Sequence, residues 1–262
     1  MTTLLDTSVV EIDAKTLQPT FCIPGNDSAA LNYVVESVVF NSSSGNRLNG
    51  WLIKPKNAIP DVTLLHFHGN AGCILTDYRA MTGFVNYQFQ VFLFDYSGFG
   101  FSQGKATRDN VLKDAPSALS YLKSRDDVKN TKLVLYGQSL GGHLAAVTAQ
   151  KCEPEMDGLV IEGAFSSHKD IAAERAGLFG RLLVSEKYSA TEAIQAYHKP
   201  VLIIHSAEDD VVPIALGKKI FDCANEPKEF YEIDKCHICG PIFYTDSIAI
   251  RILKMIEWRQ GN

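Results

Sequence analysis

Residues 132–147, KLVLYGQSLGGHLAAV, carry a short apolar strand straight into a helix. Leu133, Val134, Leu135 and Tyr136 have strand composition, and the residues after Gly142 are helix formers with no breaker among them. A chain that turns from strand to helix within a few residues forces the apex residue, Ser139, into a strained backbone. Gly137 and Gly141 flank it, since a Cβ at either position would collide with the crossing strand and helix. A G-x-S-x-G turn of this kind, a nucleophile elbow, lifts a serine hydroxyl clear of the sheet. The five-residue pattern also arises by chance in loops rich in Gly and Ser. Here the strand before it and the small-residue helix after it supply the context that the chemistry needs.

Outward from this stretch, short apolar segments alternate with longer amphipathic ones. Strands are expected at 63–67, 91–94, 132–136, 158–161, 201–205 and 228–233, and helices near 77–87, 109–124, 140–151, 214–223 and 242–258. In the second helix Val111, Leu112, Ala115, Ala118, Leu119 and Leu122 recur at i, i+3, i+4 spacing and form one apolar face. Such alternation gives a mostly parallel sheet with helices on both faces and ligands at the carboxyl ends of the strands. Ahead of it, 33–40 and 48–53 flank the polar loop NSSSGN at 41–46 and read as an antiparallel opening hairpin. Residues 1–30, broken by Pro19, Pro24 and Gly25, are expected to form an arm packed on the domain. Between the strands ending near Ile161 and starting at Val201 lie more residues than one crossover helix needs. Segments 171–184 and 191–198 there read as helices, so 166–199 is expected to form a small cap over the carboxyl edge of the sheet.

The 262 residues suit one α/β domain, and 46% hydrophobic with 21% charged residues is ordinary for a globule with a sizeable core. A formal net charge of −5, with no dense Lys/Arg cluster, argues against nucleic acid as a partner. The N-terminus lacks a basic leader, and no run approaches the ~18–20 apolar residues of a membrane span, which points to a cytoplasmic protein. The six cysteines show no framework spacing and are expected as reduced thiols. Cys236 and Cys239 form a C-x-x-C, but without a second ligand pair it does not fit a zinc site, so no metal is expected.

A serine hydroxyl becomes a nucleophile when a base takes its proton and an acid fixes the tautomer of that base. Asp209 sits in the loop after the 201–205 strand, and His237 in the loop after the 228–233 strand, in the chain order Ser, Asp, His that an elbow serine uses. Acid clusters in loops are often only solvated, and Glu162 and Asp210 are alternative acids at comparable positions. An oxyanion hole needs two backbone N–H groups. Leu140 supplies one, and the loop His68-Gly69-Asn70-Ala71-Gly72 offers the other at Asn70, with Ala71 as the alternative. His68 is expected to brace that loop, Asp95 to tie down the 96–104 turn, and His143 to pack in the core.

Taken together, HFHGNAG at 66–72, FDYSGFGFSQG at 94–104, GQSLGG at 137–142, HSAEDDVVP at 205–213 and His237 resemble the serine α/β hydrolases, and more narrowly their Bem46-type branch, over residues 33–258. The resemblance implies the α/β-hydrolase fold and a triad of Ser139, Asp209 and His237 acting on esters or thioesters without a cofactor. The sequence departs from the usual pattern at Ser97, where Arg is frequent, at Ser206, where Gly is frequent, and at Cys236, which precedes the histidine. The N-terminal membrane anchor of many members is not legible here.

The function expected is therefore hydrolysis of a small-molecule acyl ester or thioester through an acyl-serine. A short-peptide peptidase or an acyltransferase would use the same triad, and a non-catalytic ligand-binding protein could keep the same fold. Leu178, Phe179, Leu182 and Leu183, apolar residues beside glycines in the cap, are expected to line the acyl pocket.

Overall fold

The computed structural model describes residues 9–12, 19–22 and 31–257. Strands β1 (Val9–Ile12) and β2 (Pro19–Cys22) pair antiparallel in a small sheet of their own, a hairpin that the sequence pattern did not reveal. The rest of the expected N-terminal arm, and its packing, lie outside the described residues.

An eight-stranded sheet forms the frame. Its members are β3 (Tyr33–Asn41), β4 (Arg47–Pro55), β5 (Val62–Phe67), β6 (Phe89–Phe94), β7 (Lys132–Gln138), β8 (Gly158–Glu162), β9 (Val201–Ser206) and β10 (Lys228–Ile233). They lie in the order β10-β9-β8-β7-β5-β6-β4-β3. The opening hairpin β3–β4 is antiparallel and joins the sheet antiparallel to β6; every later pairing is parallel. The central strands β5 and β6 are buried at every position, as strands covered on both faces must be.

Alternate residues of each strand feed two cores. Leu133 and Leu135 face one with Leu65 and Phe67, and Val134 and Tyr136 face the other with Leu64. The first core is closed by α2 (Arg108–Lys123), α3 (Leu140–Lys151), α5 (Ala190–Gln195) and α6 (Ile214–Cys223). The second is closed by α1 (Ile74–Met81) and α8 (Thr245–Glu257). The expected helix at 77–87 is α1 followed by a 3₁₀ turn, Thr82–Tyr87, and the one at 242–258 divides into α7 (Gly240–Phe243) and α8.

Between β8 and β9 the chain forms α4 (His168–Leu183) and then α5. The Ser167 hydroxyl accepts from the Asp170 amide, and the Glu186 carboxylate accepts from the His168 and Lys169 amides at 3.1 and 2.9 Å, so three orphan donors at the start of α4 are satisfied. The helix breaks at Ala176 and Gly177, the latter at φ 59° and ψ −151°, a region open only to glycine. No helix among the described residues is long and apolar enough to cross a membrane.

Candidate active site

Ser139 occupies the turn between β7 and α3 at φ 54° and ψ −119°, strained for any L-residue. A Cβ on Gly141 would overlap the carbonyls of Phe67 and His68, and one on Gly137 would overlap the Gly141 carbonyl and lie 2.7 Å from Ala145 Cβ. The two glycines thus let α3 cross directly over β5 and β7. The Ser139 amide is held by the Glu162 carbonyl at 2.8 Å, which anchors the apex to the neighbouring strand.

Asp209 follows β9 in a turn that captures its carboxylate. Oδ1 accepts from the amides of Val211 (2.9 Å) and Val212 (2.8 Å), and Oδ2 accepts from His237 Nδ1 at 2.6 Å. The Asp209 side chain has no exposure to solvent. Burial pushes its carboxyl up, but the His237 hydrogen bond and the Val212 and Val211 amides outweigh it and hold the group below its ordinary value. A carboxylate oxygen can only accept, so Nδ1 of His237 carries the proton of this bond and Nε2 is the ring nitrogen left for other partners. Gly163, at φ 58°, lies against that imidazole, and a Cβ there would sit 3.1 Å from its Cε1. Asp210, the residue after the captured carboxylate, is exposed.

Ser139 and His237 line one cavity of about 620 Å³, together with Gly69, Asn70, Ala71, Leu140, Phe165, Ile171, Arg175, Val211, Val212 and Ile238. Asn70 and Leu140 line the same cavity as Ser139, and among the described residues neither amide donates to a protein acceptor. The loop that carries Asn70 is braced from below. His68 is buried, its Nδ1 donates to the Gly69 carbonyl at 2.8 Å, and its ring packs on Tyr96 and Phe99. Burial pushes its pKa down to about 4, so it is a neutral brace. Asp95 accepts from the Ile74 and Phe101 amides and from Asn49, which ties the 96–104 turn to the start of α1. His143 is buried against Phe165.

Glu162 is not bonded to His237. Its Oε2 accepts from the Tyr136 hydroxyl and Gln138 Nε2, both at 2.8 Å, and its Oε1 accepts from the Gly240 amide at 2.6 Å. Gln138 also donates to the Ile238 carbonyl at 3.1 Å. The rival acid thus anchors the loop that bears the histidine, and burial pushes its own carboxyl up. His205, a buried neighbour that sequence reasoning passed over, donates through Nε2 to the Val212 carbonyl at 2.9 Å and lies 3.4 Å from Asp209 Oδ2. Burial lowers its pKa, leaving a neutral ring under the carboxylate.

Two expectations are overturned. Leu178, Phe179, Leu182 and Leu183 do not line the cavity; they are 70%, 79%, 72% and 86% exposed. The break at Gly177 turns the second half of α4 back on the first. Gly180 lies so close to the Ala172 carbonyl that a Cβ would overlap it, and Arg181 bonds Asp170 at 2.6 Å. The cap residues that reach the cavity are Ile171 and Arg175, from the first half. The cysteines are not all reduced either, because Cys236 and Cys239 form a disulfide across His237. Cys73, Cys152 and Cys223 are free thiols.

A mostly parallel sheet with an antiparallel start, helices on both faces and a serine elbow at its carboxyl edge defines an α/β hydrolase. Residues 58–188 match the family described as serine aminopeptidase S33. The chain is 34% identical over 210 residues to the protein YfhR of Salmonella typhi, covering 74% of this chain and 71% of that one. It is 31% identical over 182 residues to the protein bem46 of Schizosaccharomyces pombe, covering 66% of this chain and 60% of that one. Among solved structures it is similar to the Pyrococcus furiosus esterase Pf2001, with a TM-score of 0.71, 18% identity and coverage of 90% of this chain and 96% of that one. The protein belongs to the serine α/β-hydrolase superfamily and resembles its Bem46 branch.

Proposed function

We propose that this protein hydrolyses carboxylic esters or thioesters through an acyl-serine intermediate. The observation that carries the reading is the 2.6 Å bond from His237 Nδ1 to the enclosed Asp209 carboxylate, with His237 and Ser139 facing one cavity. Ser139 Oγ attacks the acyl carbon and gives its proton to His237 Nε2. The Leu140 and Asn70 amides, which among the described residues meet no protein acceptor, hold the oxyanion, the first at the amino end of α3 where the helix dipole favours negative charge. His237 then protonates the departing alcohol or thiol, and water, deprotonated by the same imidazole, releases the acid. Asp209 stabilises each imidazolium. Phe165, Ile171, Val211, Val212 and Ile238 give the cavity an apolar lining suited to an acyl chain, and a structural neighbour is named an esterase.

A fluorophosphonate should label Ser139. Ser139→Ala should abolish labelling and lower turnover of any accepted ester ~10⁴-fold or more. An Ala variant that kept a tenth of the activity would refute the acyl-serine. Failure of both labelling and turnover across a panel of acyl esters, thioesters and short peptides would favour a non-catalytic binding protein.

A further inference from the structure

The bridge between Cys236 and Cys239 encloses two residues, His237 and Ile238, and both line the cavity. Cys236 is exposed while Cys239 is buried, so a thiolate from solvent reaches one sulfur of the pair and not the other. Ile238 lies at φ 51°, a left-handed conformation unfavourable for a β-branched residue. Besides the bridge, this turn is held by the Cys239 amide on the Cys236 carbonyl at 3.3 Å, by Gln138 on the Ile238 carbonyl and by Asp209 on His237 Nδ1. The chain on either side is fastened independently, Lys235 through its carbonyl to the Ser206 hydroxyl and Gly240 through its amide to Glu162. Opening the bridge therefore removes the covalent tie across His237 and Ile238 and leaves their flanks in place.

We propose that Cys236 and Cys239 form a thiol–disulfide exchange site that governs the position of His237, with a dithiol as the reaction partner. The inference rests on the hydrolase reading of His237. A thiolate of the dithiol attacks Cys236 Sγ, the S–S bond breaks, and its electron pair leaves on Cys239 Sγ, which takes up a proton. The second thiol of the reagent then attacks the mixed disulfide, freeing the Cys236 thiol and closing the reagent into its own disulfide. Two electrons and two protons pass to the protein. In the opened turn Ile238 relaxes toward negative φ, and the imidazole loses its fixed placement between Asp209 and Ser139. A displacement of about 1 Å at a catalytic group lowers rate on the order of a hundredfold.

The test uses the full chain purified without reductant and then treated with dithiothreitol. Iodoacetamide alkylation read by mass should show two additional modified cysteines after reduction, at positions 236 and 239. The rate of fluorophosphonate labelling of Ser139 should fall about tenfold or more on reduction, as a displaced base requires. Glutathione disulfide, itself reduced to two glutathiones, should restore the fast rate. A Cys236→Ser/Cys239→Ser double variant should label at the slow rate and ignore dithiothreitol; the reduced native chain gives the same readout should that variant misfold. Equal labelling before and after confirmed reduction overturns the proposal and leaves the hydrolase reading standing. Alkylation of both cysteines without reductant overturns it too. Absence of labelling in both states overturns the hydrolase reading, and this proposal with it.

Discussion

Replacing Asp209 by Asn isolates what the carboxylate does for His237. The side chain has two faces. Oδ1 is fixed by two backbone donors, Val211 at 2.9 Å and Val212 at 2.8 Å, and Oδ2 meets a single donor, His237 Nδ1. An amide has one oxygen, and two rigid donors outbid one mobile ring, so the Asn oxygen stays on the backbone and its NH₂ turns toward His237. Two donors then face each other, and the imidazole must move its proton to Nε2. In that tautomer the ring cannot accept the Ser139 proton, and the imidazolium loses its counter-charge as well. Wrong-tautomer triads lose about 10²–10⁴ in turnover, equivalent to about 2.7–5.5 kcal/mol of barrier. Hydrolysis of a short acyl ester at matched folding, judged by circular dichroism, should show that loss for Asp209→Asn. Asp210→Asn, a change on an exposed side chain, should stay within about threefold. An Asp209→Asn variant that retained more than a tenth of wild-type turnover would refute the argument. If Glu162→Gln collapsed at the same time, the acid would have to be placed at the end of β8.

Glu162→Gln puts an NH₂ among donors from Tyr136, Gln138 and Gly240, and should lower kcat about tenfold with KM within about twofold, because it shifts the histidine loop and not the pocket; steady-state kinetics on one ester checks the split. Asp170 anchors α4 through Lys219, Ser166 and Arg181. Burial raises its carboxyl, but Lys219, Ser166 and Arg181 outweigh it, so its pKa lies below the ordinary value. Stabilisation of that sign is present above the ordinary carboxyl pKa and lost as the pH falls through the depressed one. Asp170→Asn should therefore lower Tm by about 2–6 °C at neutral pH, from ~1–2 kcal/mol after allowing for two half-exposed partners, and the gap from wild type should begin to narrow below about pH 4 and close only as the pH falls through the depressed value. Ile171→Ala should change the long-to-short acyl preference in kcat/KM about tenfold, while Phe179→Ala should leave it within about twofold; equal effects would contradict the cavity lining.

The sheet was legible because a parallel strand covered on both faces must be an unbroken apolar run. Runs such as 158–161 and 201–205 therefore lie within a residue of the observed strands. The elbow was legible for a steric reason that acts within five residues: Gly137 and Gly141 leave no room for a side chain. Choosing between Asp209 and Asp210 was harder, since no periodicity separates adjacent acids. The structure separates them by the Val211 and Val212 amides, which enclose one carboxylate and leave Asp210 in solvent. Cap orientation was not legible at all. IAAERAGLFGRLLV has the composition of a pocket cover, yet the direction of its second half depends on ψ at Gly177 and on how closely Gly180 approaches Ala172, neither of which leaves a mark in composition.

Glu162 shows how a residue can be placed at the right edge of the sheet while its part stays open. Its place after an apolar strand makes it an alternative to Asp209 as the acid, and the strand does deliver it to the carboxyl edge of the sheet. Its role, however, is decided by donors 26, 24 and 78 positions away, Tyr136, Gln138 and Gly240, which surround the carboxylate before His237 can reach it. Asp209 meets the opposite circumstance. The backbone of its own turn occupies only Oδ1, and Oδ2 remains for the imidazole. At this edge one carboxylate ends β8 and another lies in the turn after the neighbouring β9, and the unfilled acceptor, not the position in the chain, separates the one bonded to the histidine from the one that holds its loop.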